Sequence, residues 1–134
     1  SMDRVLDRLY IGDASDLDGT TPLRTLGFSA VLDLRDRKAF KEPDVDVLNI
    51  DNRDGDPWTE AQVGVALQFI ADRIHVGRVL VACVDGMSRS ASMVIGFLVR
   101  CGWSLPEAYE CVRRARPKIA PVAKMLDSVI KVVT

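Results

Sequence analysis

One segment in the second half of the chain restricts the possible folds more than any other. Residues 79–83 are a short apolar run that ends at Cys83, and a second, longer apolar stretch follows and ends at Gly102. Between them lie a short loop with Gly86 at its centre and then Arg89. The first run has the length of a buried strand and the second that of a helix, so the segment predicts a strand, a tight loop and a helix in that order.

Short apolar runs alternate with helical patterns along the rest of the chain. Several predicted strands are too uniformly apolar for a sheet with one wet face: Leu9–Ile11, Ala30–Leu34, Val45–Ile50 and Arg78–Cys83. We therefore predict an α/β fold with a central, mostly parallel sheet of four to five strands flanked by helices. A chain of 134 residues with 48% apolar residues suits one domain, which would span residues 1–134.

The helices carry start and stop signals. The segments Thr59–Gln62 and Ser104–Glu107 are capping boxes, which predict that helices begin there. A short helix is expected between Thr21 and Gly27, and the last helix is expected to begin at Pro121. Residues 36–44 are the most polar stretch and are interpreted as a solvated, mobile loop.

Composition and charge exclude several classes of function. Lysine and arginine number 18 against 19 aspartates and glutamates, so the net charge of −1 offers no broad basic surface to nucleic acid or anionic lipid. No apolar run reaches about 18 residues, the length that crosses a bilayer, and no secretory signal is evident. The three cysteines are an odd number, which favours free thiols in a reducing compartment.

These observations set expectations about location and partners. His75 is the only histidine, so a histidine-rich metal site or a Ser-His-Asp triad is hard to assemble. We therefore expect a cytoplasmic monomer that needs no cofactor and no metal. We expect no nucleic acid and no membrane among its partners.

The strand, loop and helix around Gly86 are typical of an anion-binding site. Successive backbone N–H groups in such a loop can converge on one oxyanion, and the helix adds positive potential at its N-terminus. Arg89 brings a planar fork of donors that suits two oxygens of a phosphate. The predicted ligand-binding residues are Val84, Asp85, Gly86, Met87, Ser88 and Arg89.

The same positive potential acts on Cys83. It favours the thiolate over the thiol, so Cys83 is predicted to be a nucleophile without a histidine base. Ser90 could donate a hydrogen bond to the sulfur when the sulfur becomes a leaving group. The alternative makes Cys83 a small buried apolar residue, but it must explain why Arg89 stands in a first helical turn, where the helix dipole disfavours a cation.

Breaking a phosphate ester also needs a proton donor. Asp51, Asp54 and Asp56 cluster before the capping box at Thr59, and Gly55 makes their loop flexible. The residues alone leave the choice among the three aspartates open, and each of them could equally serve in a turn.

The segment Cys83–Ser90 resembles the signature loop of cysteine-dependent protein tyrosine phosphatases. Its Ser-Arg-Ser ending looks like the dual-specificity branch, and residues 7–12, 26–35 and 108–117 are similar to other parts of that branch. The resemblance implies a small atypical dual-specificity phosphatase that hydrolyses phosphotyrosine, and also phosphoserine or phosphothreonine, on proteins through a phosphocysteine. The spacing from Ile50 to Asp54 matches the family's spacing to its general acid, which raises Asp54 above its neighbours.

Two positions depart from the family pattern. Ala82 stands where the family usually has a histidine that steadies the loop, and Pro121-Val122 stands where Pro-Asn is common. The resemblance therefore implies that two braces of the phosphate loop are missing. Arg116 and Lys118 are interpreted either as cations on the rim of the site or as helix C-terminal cations that pair with the helix dipole.

Other functions stay open at this stage. The chain could be a phosphoprotein-binding module without turnover, or a phosphatase for an inositol lipid or an RNA 5′ end. Asp85 in the loop would repel a polyanion, so inositol lipids and RNA 5′ ends are less favoured as substrates than phosphorylated proteins. A sulfur-transfer enzyme or an arsenate reductase ranks last, because no resolving cysteine lies in the loop.

Overall fold

The computed structural model describes residues 1–134 and has the predicted α/β fold. Five strands form one sheet: β1 (Asp3–Leu6), β2 (Leu9–Gly12), β3 (Phe28–Asp33), β4 (Asp46–Asn49) and β5 (Arg78–Ala82). Five α-helices and a 3-10 helix at Leu23–Leu26 connect them: α1 (Ala14–Asp18), α2 (Glu60–Arg73), α3 (Arg89–Arg100), α4 (Leu105–Ala115) and α5 (Ala123–Val133). None of the helices combines the length and the apolar character needed to cross a bilayer.

The sheet places the end of β5 between the ends of two other strands. The strand order is β1-β2-β5-β3-β4, and only β1 runs antiparallel to its neighbour. Because β2 and β3 are parallel to β5 on either side, the chain segments that follow all three strands leave the same edge of the sheet. This is the edge at which open α/β sheets bind ligands.

Both faces of the sheet are covered. Along β5, Val79 and Val81 belong to the larger apolar cluster, while Leu80 and Ala82 belong to the smaller one, as the alternation of side chains in a strand requires. The larger cluster also holds the buried apolar side chains of α2, α3, α4 and α5, and the smaller one includes Leu17 of α1. Burial on both faces is therefore confirmed for β2, β3 and β5. It is wrong for β4, an edge strand whose four residues are exposed or half-buried.

The two capping boxes are confirmed. Thr59 Oγ1 accepts the N–H of Gln62 at 3.1 Å, and Gln62 Oε1 accepts the N–H of Thr59 at 3.0 Å. Ser104 and Glu107 make the same reciprocal pair before α4. Each box satisfies amide groups that the first helical turn leaves without a partner.

The boundaries of two other helices differ from the prediction. The last helix begins at Ala123 rather than at Pro121, because Val122 is extended and donates its N–H to Ser88 Oγ at 2.9 Å. Helix α3 ends at Arg100, before the left-handed Gly102. Strand β1 was not predicted, since two of its four residues are charged and none of them is buried at the edge of the sheet.

Helix α3 lies so close to α5 that Gly96 has no room for a side chain. A methyl group on Gly96 would overlap Cγ1 of the buried Val129. We predict that Gly96→Ala lowers the free energy of unfolding, because overpacking costs about 1–3 kcal/mol and outweighs a gain in helix propensity of about 1 kcal/mol. Urea denaturation measures the change.

Gly64→Ala in α2 is the matched control, since nothing lies within 4 Å of a methyl group at that position. At that position only the helix propensity changes, and we expect Gly64→Ala to raise the free energy of unfolding by up to about 1 kcal/mol. Equal effects of the two alanines would contradict the close approach of α3 and α5.

Candidate functional site

Cys83 lies directly after the central strand, at the base of a small cavity. The cysteine is only 2% exposed, its Sγ accepts the N–H of Ser90 at 3.4 Å, and the Ser90 hydroxyl lies 3.2 Å from the same sulfur. The cavity has a volume of about 140 Å³ and is lined by Asp54, Cys83, Asp85, Met87, Ser88, Arg89, Ala120 and Val122. The structure thus brings the predicted nucleophile, arginine and acid to one place.

The carbonyl groups of the loop after Cys83 are all bound from outside the loop. Their partners are, in order, Ala14 N on Val84 O (3.0 Å), Arg116 Nη2 on Asp85 O (3.2 Å), Arg116 Nε on Gly86 O (2.8 Å) and Ala120 N on Met87 O (2.8 Å). None of the amides from Val84 to Ser88 donates a hydrogen bond within the chain. A run of unpaired amides at a helix N-terminus is an anion-binding arrangement.

Gly86 is required by the shape of this loop. Its φ of 66° lies in the left-handed region, which confirms the predicted tight turn. A Cβ at this position would lie 2.6 Å from the carbonyl oxygen of Gly12 and 2.5 Å from Nη2 of Arg116. Any side chain would therefore push the loop away from both neighbours.

Arg89 is anchored through one nitrogen and leaves another without a partner. Its Nη1 donates to Asn52 O at 2.9 Å, to Asp36 Oδ1 at 3.2 Å and to Leu34 O at 3.3 Å. Its Nε is buried and makes no hydrogen bond. The nearest carboxylate oxygen, on Asp54, is 3.8 Å from Nε, which is too long for a hydrogen bond. The guanidinium is therefore held in place with a donor still available to a ligand.

Asp36 is a site residue that the sequence did not reveal. It belongs to the polar segment interpreted as a solvated loop, yet its carboxylate accepts from the buried Arg89. Its own backbone N–H and the Arg89 guanidinium lower the pKa of Asp36 below its ordinary value. The only available signal was its place shortly after a strand that ends at this edge of the sheet.

Of the three candidate acids, only Asp54 lines the cavity. Its side chain is 55% exposed, and the following Gly55 has a φ of 91° and donates its N–H to Met125 Sδ at 3.2 Å. Asp51 instead accepts the N–H of Arg37 at 3.1 Å. Asp56 pairs with Arg53 at 3.5 Å. The structure therefore separates Asp54 from its two neighbours by position.

Arg116 is neither on the rim of the site nor bound to the last carbonyls of α4, so both interpretations of it are wrong. Arg116 is only 2% exposed, and its guanidinium turns inward to the loop carbonyls and to the carboxylates of Asp3 and Asp13. Lys118 is exposed and does not line the cavity. A cation just after a helix is ordinarily solvated, so nothing in the sequence distinguished Arg116 from Lys118.

The two departures from the family pattern have different consequences. Ala82 is fully buried in the smaller apolar cluster, so no polar side chain braces the loop from position 82. Val122 does brace it, because its backbone N–H donates to Ser88 Oγ, a bond that needs no asparagine side chain.

The two other cysteines lie outside the cavity. Cys101 is exposed and follows the end of α3, while Cys111 is half-buried in α4. Partial burial of each thiol raises the pKa of Cys101 and of Cys111 above the ordinary value. No disulfide forms among the three.

Comparisons with known proteins agree with this geometry. The model of the dual specificity phosphatase catalytic domain matches residues 9–133. Human dual specificity protein phosphatase 16 is 30% identical over 135 residues, which cover 95% of this chain and 20% of that protein. Human dual specificity protein phosphatase 14 is 27% identical over 125 residues, which cover 88% of this chain and 62% of that protein. The chain thus spans less than two thirds of either relative.

The fold has close counterparts among solved structures. The crystal structure of human DUSP28 superposes with a TM-score of 0.87 at 24% identity, over 98% of this chain and 94% of that one. At this identity the likeness establishes the fold. Because the family model covers nearly the whole chain, the protein belongs to the dual specificity phosphatase family.

Proposed function

We propose that this chain is a protein phosphatase that hydrolyses phosphotyrosine, and also phosphoserine and phosphothreonine, through a phosphocysteine on Cys83. The observation that carries the proposal is the loop after Cys83, whose carbonyls from Val84 to Met87 are all bound from outside while its amides have no partner. Such a loop has donors for a phosphate and a sulfur at its base. We further propose that residues 1–134 form one catalytic domain.

In the first step the Cys83 thiolate attacks phosphorus. A sulfur–phosphorus bond forms, the bond from phosphorus to the leaving oxygen breaks, and Asp54 gives its proton to that oxygen. The loop amides and Arg89 Nε stabilise the charge on the equatorial oxygens. Asp54 suits this role because it lines the cavity and is half-exposed, where it can meet the leaving group.

In the second step water replaces the cysteine. Asp54, now ionised, takes a proton from the water as its oxygen attacks phosphorus, and the sulfur–phosphorus bond breaks. The Ser90 hydroxyl, 3.2 Å from Cys83 Sγ, donates a hydrogen bond to the departing thiolate. The products are inorganic phosphate and the enzyme in its starting state.

The walls of the cavity favour a protein substrate. Met87, Ala120 and Val122 offer apolar contacts to the stem of a phosphorylated side chain. Asp85 at the mouth of the cavity is exposed and repels polyanionic esters, so inositol lipids and RNA ends are less favoured substrates than phosphorylated proteins. A cytoplasmic location, supported by three unpaired cysteines, and a monomeric state complete the proposal.

The first prediction from the proposed function concerns turnover of a phosphate ester. Wild-type protein in reductant should release para-nitrophenol from its phosphate, orthovanadate should inhibit this, and Cys83→Ser should abolish it because the nucleophile is lost. The mechanism uses no metal, so EDTA should have no effect. Turnover that survives in Cys83→Ser would refute the thiolate mechanism, and a folded wild type that binds phosphate without turnover would indicate a phosphoprotein-binding module.

The second prediction concerns the general acid. We expect Asp54→Asn to lower kcat by about a hundredfold or more for phenyl phosphate, because the leaving oxygen then departs unprotonated. The loss should shrink for substrates with more acidic leaving groups. Asp51→Asn and Asp56→Asn are the controls, since neither aspartate lines the cavity. A crippling effect of either control with a harmless Asp54→Asn would refute the assignment.

The third prediction concerns the cysteines. At neutral pH iodoacetate should modify Cys83 first, because the unpaired amides of the loop attract the anionic reagent to the cavity that has Cys83 at its base. Cys101 and Cys111 should react slowly, since burial raises their pKa. Mass spectrometry of the digested protein gives the order, and inorganic phosphate should protect Cys83 alone. Faster labelling of Cys101 than of Cys83 would count against an activated nucleophile.

A further inference from the structure

We propose that Arg116 is a positioning residue that holds the phosphate loop in its binding shape and ties it to β1 and α1. The inference deepens the proposed function and rests on it, since it concerns the same loop. Arg116 lies after α4, its side chain does not line the cavity, and it is only 2% exposed. It therefore acts on a bound phosphate through the loop and not by contact.

The charge of Arg116 is compensated away from the cavity. Its Nη1 donates to Asp3 Oδ2 at 2.8 Å and its Nη2 donates to Asp13 Oδ2 at 3.0 Å. Burial opposes ionisation of Asp13, but hydrogen bonds from the amino terminus, from Ser15 and from Arg116 outweigh it and lower the pKa of Asp13. A buried guanidinium is tolerated when carboxylates pair with it in this way. Arg116 therefore acts on the loop through the positions of its hydrogen-bond donors rather than through its charge.

That geometry requires the planar fork of an arginine. Nε donates to Gly86 O at 2.8 Å while Nη2 donates to Asp85 O at 3.2 Å, so one rigid group binds two successive carbonyls of the loop. The missing side chain of Gly86 permits this approach, since a Cβ there would lie 2.5 Å from Nη2. A lysine has a single ammonium group and cannot reproduce the fork.

Arg116 and α1 act on the loop together. Asp13, which accepts from Arg116, is also the N-cap of α1, where its carboxylate accepts the N–H of Ser15. The next residue, Ala14, donates its N–H to Val84 O. The carbonyls of Val84, Asp85 and Gly86 are therefore bound by one connected unit made of the start of α1 and Arg116. Because Ala82 has no polar side chain, this unit supplies support that position 82 cannot.

The test measures binding of inorganic phosphate and stability in the same variants. Arg116→Met removes the fork, and Arg116→Lys keeps the positive charge next to Asp3 and Asp13 and so protects the fold. Calorimetric titration gives the Kd for phosphate well below each Tm, and amide resonances of residues 84–88 in ¹⁵N NMR spectra report whether the loop binds it.

Two controls separate positioning from a general loss of stability. Arg114→Met removes an arginine from the exposed surface of α4, where the side chain is 77% exposed. Leu67→Ala removes a buried side chain of α2 and should lower Tm without touching the loop. Both should bind phosphate as the wild type does.

We expect Arg116→Lys to raise the Kd for phosphate by about tenfold, because the free loop then holds its binding shape only about a tenth of the time, and to weaken the shifts of residues 84–88. We expect Arg116→Met to raise it further. A folded Arg116→Lys with the wild-type Kd, or a Leu67→Ala with an equally raised Kd, would overturn the positioning role and leave the proposed function standing. A wild type that binds no phosphate at all would overturn both.

Discussion

The carbonyl oxygens from Val84 to Met87 would repel a phosphate if they faced it, and the fold binds each of them from the far side. The donors come from separate parts of the chain: Ala14 at the start of α1, Arg116 after α4, and Ala120 before α5. With the carbonyls satisfied in this way, the loop amides keep their donors for a ligand. The position of helices α1, α4 and α5 around the end of β5 is thus a requirement of the site as well as of the core.

The central place of β5 in the sheet explains how Arg89 is held. Strand β3 is parallel to β5 and pairs with it, so the residues after β3 reach the same edge as Cys83. Leu34 and Asp36 come from that segment, and both accept from Arg89 Nη1. The third acceptor, Asn52 O, lies in the loop that also carries Asp54. The loop with the candidate acid is therefore attached to Arg89, the residue proposed to bind the phosphate.

Much of this arrangement follows from local sequence patterns. A buried strand, a tight turn at Gly86 and a helix from Arg89 are encoded within a few residues of one another, and so are the capping boxes of α2 and α4. The parallel sheet follows from strands that are apolar on both faces. The choice of Asp54 over Asp51 needed the family resemblance, because any aspartate in a polar loop can serve a turn.

The parts that were not predictable depend on contacts between distant segments. Arg116 and Lys118 look alike in the sequence, and only the positions of Asp3, Asp13 and the phosphate loop make one of them buried. Asp36 looks like a loop residue until the fold brings Arg89 to it. The extended Val122, which delays the start of α5, is fixed by the hydroxyl of Ser88 from another helix start. Local propensity carries no information about such partners.

The covalent phosphocysteine on Cys83 is the intermediate that the proposed mechanism requires. Wild-type protein can be mixed with para-nitrophenyl phosphate, quenched in acid within milliseconds, digested and analysed by mass spectrometry. We expect one phosphorylated peptide, with the phosphate on Cys83, that forms during turnover and disappears when substrate is exhausted. Turnover without that peptide, or phosphate found on another residue, would contradict the proposed mechanism.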